Sequence, residues 1–114
     1  MLLISSRDTG RWVIPKGWPI RGLSPSQTAA REAYEEAGLG GQMSTKPIGA
    51  FKYGKRLENG TVQDCRVEVF ALESMIQHPT WPEQGQRKLQ WFKLPEAANA
   101  VQEPDLAEII RKLK

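Results

Sequence analysis

A chain of 114 residues, 39% hydrophobic and 25% charged, holds core material for one compact domain and none for a second. Sixteen Lys and Arg against thirteen Asp and Glu leave a net charge of +3, an excess that suits a phosphate-bearing ligand without demanding one. The lone Cys65 excludes an internal disulfide framework and a Cys-based zinc cluster, and points to a reducing, cytoplasmic setting. The longest apolar run falls far short of the ~18 residues a membrane span needs, and the first residues lack the basic and apolar regions of a signal peptide.

In chain order, residues 2–6 predict a strand entered almost at the first residue, and Asp8-Thr9-Gly10 a turn into a returning strand over 11–14. Pro15, Gly17, Pro19 and Gly22 make 15–24 a loop. Ser24 as N-cap, Pro25 at the first helical position and Gln27 as capping-box partner open a helix that Gly38 ends, giving 25–37. After Gly40-Gly41, residues 47–56 and 61–72 read as two strands joined by a hairpin turn at Glu58-Asn59-Gly60. Residues 77–85, with Pro79 and Pro82, form a loop, and 88–93 a strand. Pro95 and Pro104 each open a short helix, the second with an apolar stripe of Leu106, Ile109, Ile110 and Leu113. Strands interleaved with helices predict an α/β or α+β sheet domain.

The predicted helix at 25–37 carries too many carboxylates for its own good. At about 100° per residue, Arg31, Glu32, Glu35 and Glu36 share one face, while Ala29, Ala30, Ala33 and Ala37 fall opposite and let the helix lie close to a sheet. Glu32 and Glu36 are an i,i+4 like-charge pair that costs roughly 0.2–0.5 kcal/mol when solvated. They also stand in the half of the helix where the macrodipole disfavours anions. A divalent cation reverses that balance, since hard cations take carboxylate oxygens. An isolated Glu-Glu pair is more often a solvated acidic face, so the upstream spacing has to decide.

Gly17 lies six residues before Leu23, and Leu23 eight before Arg31. The stretch GWPIRGLSPSQTAAREAYEEAGL resembles the Nudix box, G-x5-E-x7-R-E-U-x-E-E-x-G-U with U aliphatic. Gly17, Arg31, Glu32, Ala33, Glu35, Glu36, Gly38 and Leu39 fall in register; Leu23 stands where the pattern has Glu. The resemblance implies one Nudix domain over 1–114 with its box at 17–39, folded as an α/β/α sandwich with a mixed sheet flanked by helices. It implies Mg²⁺ or Mn²⁺ held by Glu32, Glu35, Glu36 and the Gly17 carbonyl. Glu32 would bind metal or act as the base that activates water, and Arg31 would hold a box carboxylate in its productive rotamer. The implied reaction is metal-assisted hydrolysis of a diphosphate linkage.

Beyond the box, Trp12-Val13-Ile14-Pro15-Lys16-Gly17, the segment 85–92 and Leu94-Pro95-Glu96-Ala97-Ala98 are similar to the branch that cleaves diphosphoinositol and diadenosine polyphosphates. A phosphate-crowded small molecule is the partner that follows, with no membrane and no specific nucleic-acid binding. Lys16, Arg56, Arg87, Lys88 and Trp18 are the candidate substrate contacts, drawn from a wider set of cations that includes Arg21, Lys52 and Lys55. Glu83, in the Pro-rich loop, is the candidate further catalytic carboxylate, with Glu68 its runner-up. The other readings are hydrolysis of nucleoside triphosphates, nucleotide sugars or RNA 5′ ends, and a phosphate-binding module in which catalysis has decayed. Nudix domains usually carry a strand upstream of the one at 2–6. The resemblance therefore implies a sheet lacking its usual first strand, with an open edge available to a homodimer.

Overall fold

The first strand, β1 (Leu2–Ser5), is apolar at successive positions, and successive side chains of a strand point to opposite faces. In the computed structural model, which describes residues 1–113, Leu3 and Ile4 are both 0% exposed, so both faces of β1 are covered. The remaining elements are β2 (Trp12–Val13), α1 (Pro25–Ala37), β3 (Leu39–Met43), β4 (Gly49–Arg56), β5 (Val62–Val69), β6 (Leu72–Gln77), β7 (Leu89–Trp91), α2 (Leu94–Ala100) and α3 (Pro104–Arg111). Ile4 packs with Val13, Ala33, Ala37 and Leu39, beneath α1. Leu3 packs with Phe51 and Val69 of the β4–β5 hairpin and with Ala97, Leu106 and Ile110 of α2 and α3. The layers are therefore helix, sheet, helix, as the α/β/α expectation requires.

The sheet is divided into three antiparallel ladders: β2-β1-β7, β3-β6 and β4-β5. Among the described residues, parallel pairing is confined to one bridge between Trp12 and Val101, beside an ion pair of 2.7 Å from Arg11 to Glu103. Where the ladders face one another lies an apolar cavity of about 480 Å³, walled by Leu2, Ile14, Leu23, Leu39, Val67 and Leu72 among others. Among the described residues no strand bridges the ladders across it.

Local signals place α1 where the sequence predicts it. The Ser24 hydroxyl accepts from the Gln27 N–H, the Gln27 side chain accepts from the Ser24 N–H, and Gly38 closes the helix at φ 69°. The β4–β5 hairpin also turns where expected, with Gly60 at φ 84° and Asn59 Oδ1 accepting from the Thr61 N–H.

Two strands depart from the sequence reading. β3 was hidden by Gly40 and Gly41, which read as punctuation; in the structure a Cβ at Gly40 would lie 2.7 Å from His78 Nε2, so close strand packing requires the glycine. The expected strand at 61–72 ends at Val69, and the chain turns through Phe70-Ala71 without Gly or Pro before β6. Ser44 holds that corner: its N–H donates to the Ala71 carbonyl, and its hydroxyl accepts from the Ala71 N–H.

The close seat of α1 rests on small side chains, with Ala37 0% and Ala33 7% exposed. Ala37→Leu is expected to destabilise the fold by about 1–3 kcal/mol through overpacking. Urea denaturation checks this; an unchanged midpoint would mean that α1 does not lie tightly on the sheet.

Candidate active site

The acidic face of α1 meets the loop over 15–24 and the segment over 81–88. Glu36 is the carboxylate that organises the meeting. It is 6% exposed, accepts from the Lys16 backbone N–H at 3.1 Å, and lies 3.4 Å from Arg87 Nη2. A buried carboxylate needs such partners. Arg87 Nε also donates to Glu83 Oε1 at 3.2 Å, and Nη1 to the Ser5 carbonyl at 3.2 Å. The Glu83 N–H in turn donates to the Glu35 carbonyl at 3.0 Å, which ties the loop to the helix end. Arg7 reaches the same carboxylate, 3.8 Å from Glu83 Oε1.

Burial pushes the Glu36 carboxyl up to about 7, against the pull of Arg87 and the Lys16 amide, and the charges of Glu32 and Glu83 add to the rise. The Glu32 carboxyl is raised too, by its own burial first and then by Glu35 and Glu83. Glu32 packs onto Gly17 so closely that a Cβ there would lie 2.6 Å from Glu32 Oε1. Glu32, Glu36 and Gly17 are thus brought together by the fold. Glu35 is half-buried and turned toward Arg31, whose Nη1 stands 3.7 Å from Glu35 Oε1. Among the described residues no three acidic, His or Cys side chains converge on one point. The donor set fits a hard cation all the same. Two carboxylates held together at the expense of raised pKa values are what a divalent ion relieves, and Mg²⁺ commonly takes one or two carboxylates plus substrate oxygens.

The substrate-contact candidates divide. Lys16 lies at the site, with its Nζ 4.7 Å from the centroid of the Tyr53 ring, and burial lowers the pKa of its amine. Trp18 is 47% exposed beside it. Arg87 corrects the sequence reading: its side chain is only 11% exposed and holds three acceptors, so it positions carboxylates instead of meeting substrate. Lys88 is exposed, and its backbone extends the pairing with Ser5. Arg56 is also misplaced by the sequence reading, because β4 alternates: Phe51, Tyr53 and Lys55 turn inward and Lys52, Gly54 and Arg56 outward. Tyr53 is the residue that reasoning on charge alone missed, and Lys55, named in the wider set of cations, was passed over for Arg56; period-two alternation through Phe51 would have found both. Glu68 lines the apolar cavity that Glu32 also borders, and pairs loosely with Arg66 at 3.9 Å.

Comparison with protein families matches the chain to the NUDIX domain over residues 1–113. The chain belongs to the NUDIX domain family. Among curated relatives, Nudix hydrolase 12, mitochondrial, of Arabidopsis thaliana is 32% identical over 102 residues, covering 85% of this chain and 49% of the relative. Nudix hydrolase 13, mitochondrial, of the same plant is 33% identical over 104 residues, covering 85% and 50%. Diphosphoinositol polyphosphate phosphohydrolase 3-alpha of Mus musculus is 32% identical over 118 residues, covering all of this chain and 68% of that protein. This NUDIX domain spans about half the length of the two plant relatives.

The raised carboxyls give the metal-free NUDIX domain a definite pH response. A carboxyl with a folded-state pKa above its unfolded value favours the folded state below the unfolded pKa, and that stability is lost as pH rises through the folded pKa. Between pH 4.5 and about 7, Glu36 is therefore expected to withdraw on the order of 3 kcal/mol of stability in the presence of EDTA. Thermal unfolding of the wild type and Glu36→Gln at pH 5 and pH 8 checks this. The variant is expected to show the smaller loss toward pH 8; equal losses would remove Glu36 as the source.

Proposed function

We propose that this NUDIX domain hydrolyses a diphosphate linkage in a phosphate-rich small molecule, using Mg²⁺ or Mn²⁺. The observation that carries this reading is the buried Glu36 carboxylate, braced by Arg87 and the Lys16 amide and one helical turn from Glu32, which packs on Gly17. Glu32, Glu36 and the Gly17 carbonyl are the groups we assign to the cation, with Glu35 joining them if it leaves Arg31. Bound there, the ion would neutralise phosphoryl oxygens and lower the pKa of the attacking water.

The chain's own residues then have separable tasks. Glu36 is braced on one oxygen by the Lys16 amide and on the other by Arg87, which leaves a lone pair on each for a cation. We therefore assign it to hold charge in place and not to take a proton from water. Glu32 lies in no ion pair among the described residues, is half-exposed and has a raised carboxyl, which makes it our choice for proton acceptance. Arg31 keeps Glu35 oriented, and Glu83 completes the support of Arg87. Relatives named as diphosphoinositol polyphosphate phosphohydrolases favour a highly phosphorylated substrate. A cytoplasmic setting rests on Cys65 alone, while two relatives carry mitochondrial names. No helix among the described residues is long and apolar enough to cross a membrane.

A panel of diadenosine polyphosphates, a diphosphoinositol phosphate, nucleoside triphosphates, ADP-ribose and 5′-triphosphorylated RNA, assayed with Mg²⁺ and with Mn²⁺, tests the reading. Turnover is expected on the most phosphorylated members, and silence across the whole panel would leave a binding module. Glu32→Gln is expected to lower kcat by about 10²–10⁴ with the fold intact by circular dichroism. Glu36→Gln is expected to lose metal affinity as well as turnover, and an unchanged rate would remove Glu36 from the site.

A further inference from the structure

Beside Gly17 lies a second cavity of about 290 Å³, more polar than the first. Lys16 and Trp18 line it from the loop, Tyr53 and Lys55 from β4, and Asp64 and Arg66 from β5. Two ammonium groups face this cleft, and each rests on an aromatic ring. Lys16 Nζ stands 4.7 Å from the Tyr53 centroid, and Lys55 Nζ stands 5.7 Å from the Trp18 centroid. Among the described residues neither lysine lies within ion-pair distance of a carboxylate.

A ring face orients an ammonium group while leaving its positive charge in place. Two like charges held at one cleft with no carboxylate in ion-pair contact repel each other, a repulsion that Glu36 and Glu103 offset only in part at Lys16. An anion between them removes the remaining penalty. The alternation of β4 turns Lys55 inward on the same face as Tyr53, so the hairpin strand carries both the second cation and the ring beneath the first. We propose that Lys16 and Lys55, aimed by Tyr53 and Trp18, form a subsite for a phosphoryl group of the substrate that lies beyond the cleaved linkage. The proposal rests on the hydrolase reading for its place in catalysis, but the anion site itself is independent of turnover.

Inorganic tripolyphosphate titrated into the protein in EDTA at low salt, followed by calorimetry, reads the subsite without hydrolysis. Lys55→Gln is expected to weaken binding about tenfold, the loss of one charge-assisted contact. Lys55→Arg is expected to retain most of the affinity. Lys46→Gln, an exposed lysine in the turn before β4, is expected to leave it unchanged. No binding by the wild type, equal binding by Lys55→Gln, or an equal loss in Lys46→Gln would overturn the subsite. In steady-state assays, Lys55→Gln is expected to raise KM for diadenosine pentaphosphate about tenfold more than for ADP-ribose; equal changes would overturn the assignment to a distal phosphoryl group. Tripolyphosphate binding with the expected Lys55 dependence, in a protein that hydrolyses nothing, would uphold the anion site and overturn the hydrolase reading alone.

Discussion

A guanidinium with a tenth of its side chain exposed must find acceptors or destabilise the fold, and Arg87 finds three on three different segments. Glu36 belongs to α1, Glu83 to the loop before β7, and the Ser5 carbonyl to β1. One side chain therefore fixes the acidic face of a helix relative to a strand that is itself buried on both faces. The Coulomb attraction is not the whole account, because burial still raises the Glu36 carboxyl to about 7. The pocket disfavours negative charge even with its arginine in place. On the proposed function, a cation bound beside Glu36 would relieve that residual cost, which a purely structural ion pair would not.

The two cavities divide the molecule by chemistry. The larger is apolar and sits where the three ladders face one another, with Glu32, Gly17 and Lys16 at its border. The smaller is polar, is lined by cations and aromatic rings, and adjoins the same Gly17. Size alone would nominate the larger cavity as a ligand site, yet a phosphate-rich molecule cannot give up its hydration to a wall of Leu, Ile and Val. The acidic face of α1 lies between them, so Gly17 and Glu32 mark the boundary between packing and chemistry.

What was legible in the sequence was local. The Ser24 cap, the Gln27 capping box and the Gly38 stop act within one turn of their helix, and the spacing from Gly17 to Glu36 carries the box as a linear pattern. The Asn59-Gly60 turn is equally local. What was hidden depended on distant partners. β3 is a strand because Gly40 must clear His78, and nothing near Gly40 in the sequence says so. Arg87 read as a substrate contact because a basic pair before an aromatic strand looks solvent-facing, and its link to Glu36 spans 51 positions. Arg56 was favoured over Lys55 by charge alone, whereas the alternation that turns Lys55 inward is set by the burial of Phe51.

Leu23, the one departure from the box, follows from the same division. In its place the pattern has a carboxylate, which would stand close to the acidic cluster or steady the loop. Here Leu23 lines the apolar cavity, and its N–H donates to the Ile20 carbonyl to close a turn. The loop is steadied by other means: the Lys16 amide on Glu36 and the close seat of Glu32 on Gly17. Leu23, half-buried at the cavity wall, adds no charge here, and the electrostatics of the loop are left to α1. It also spares Glu32 and Glu36 a further negative charge beside those of Glu35 and Glu83, which would push their carboxyls still higher in the absence of metal. On the proposed function, Leu23 would forgo an additional cation ligand for a less frustrated metal-free state, with Glu36 and its arginine brace left to carry the charge.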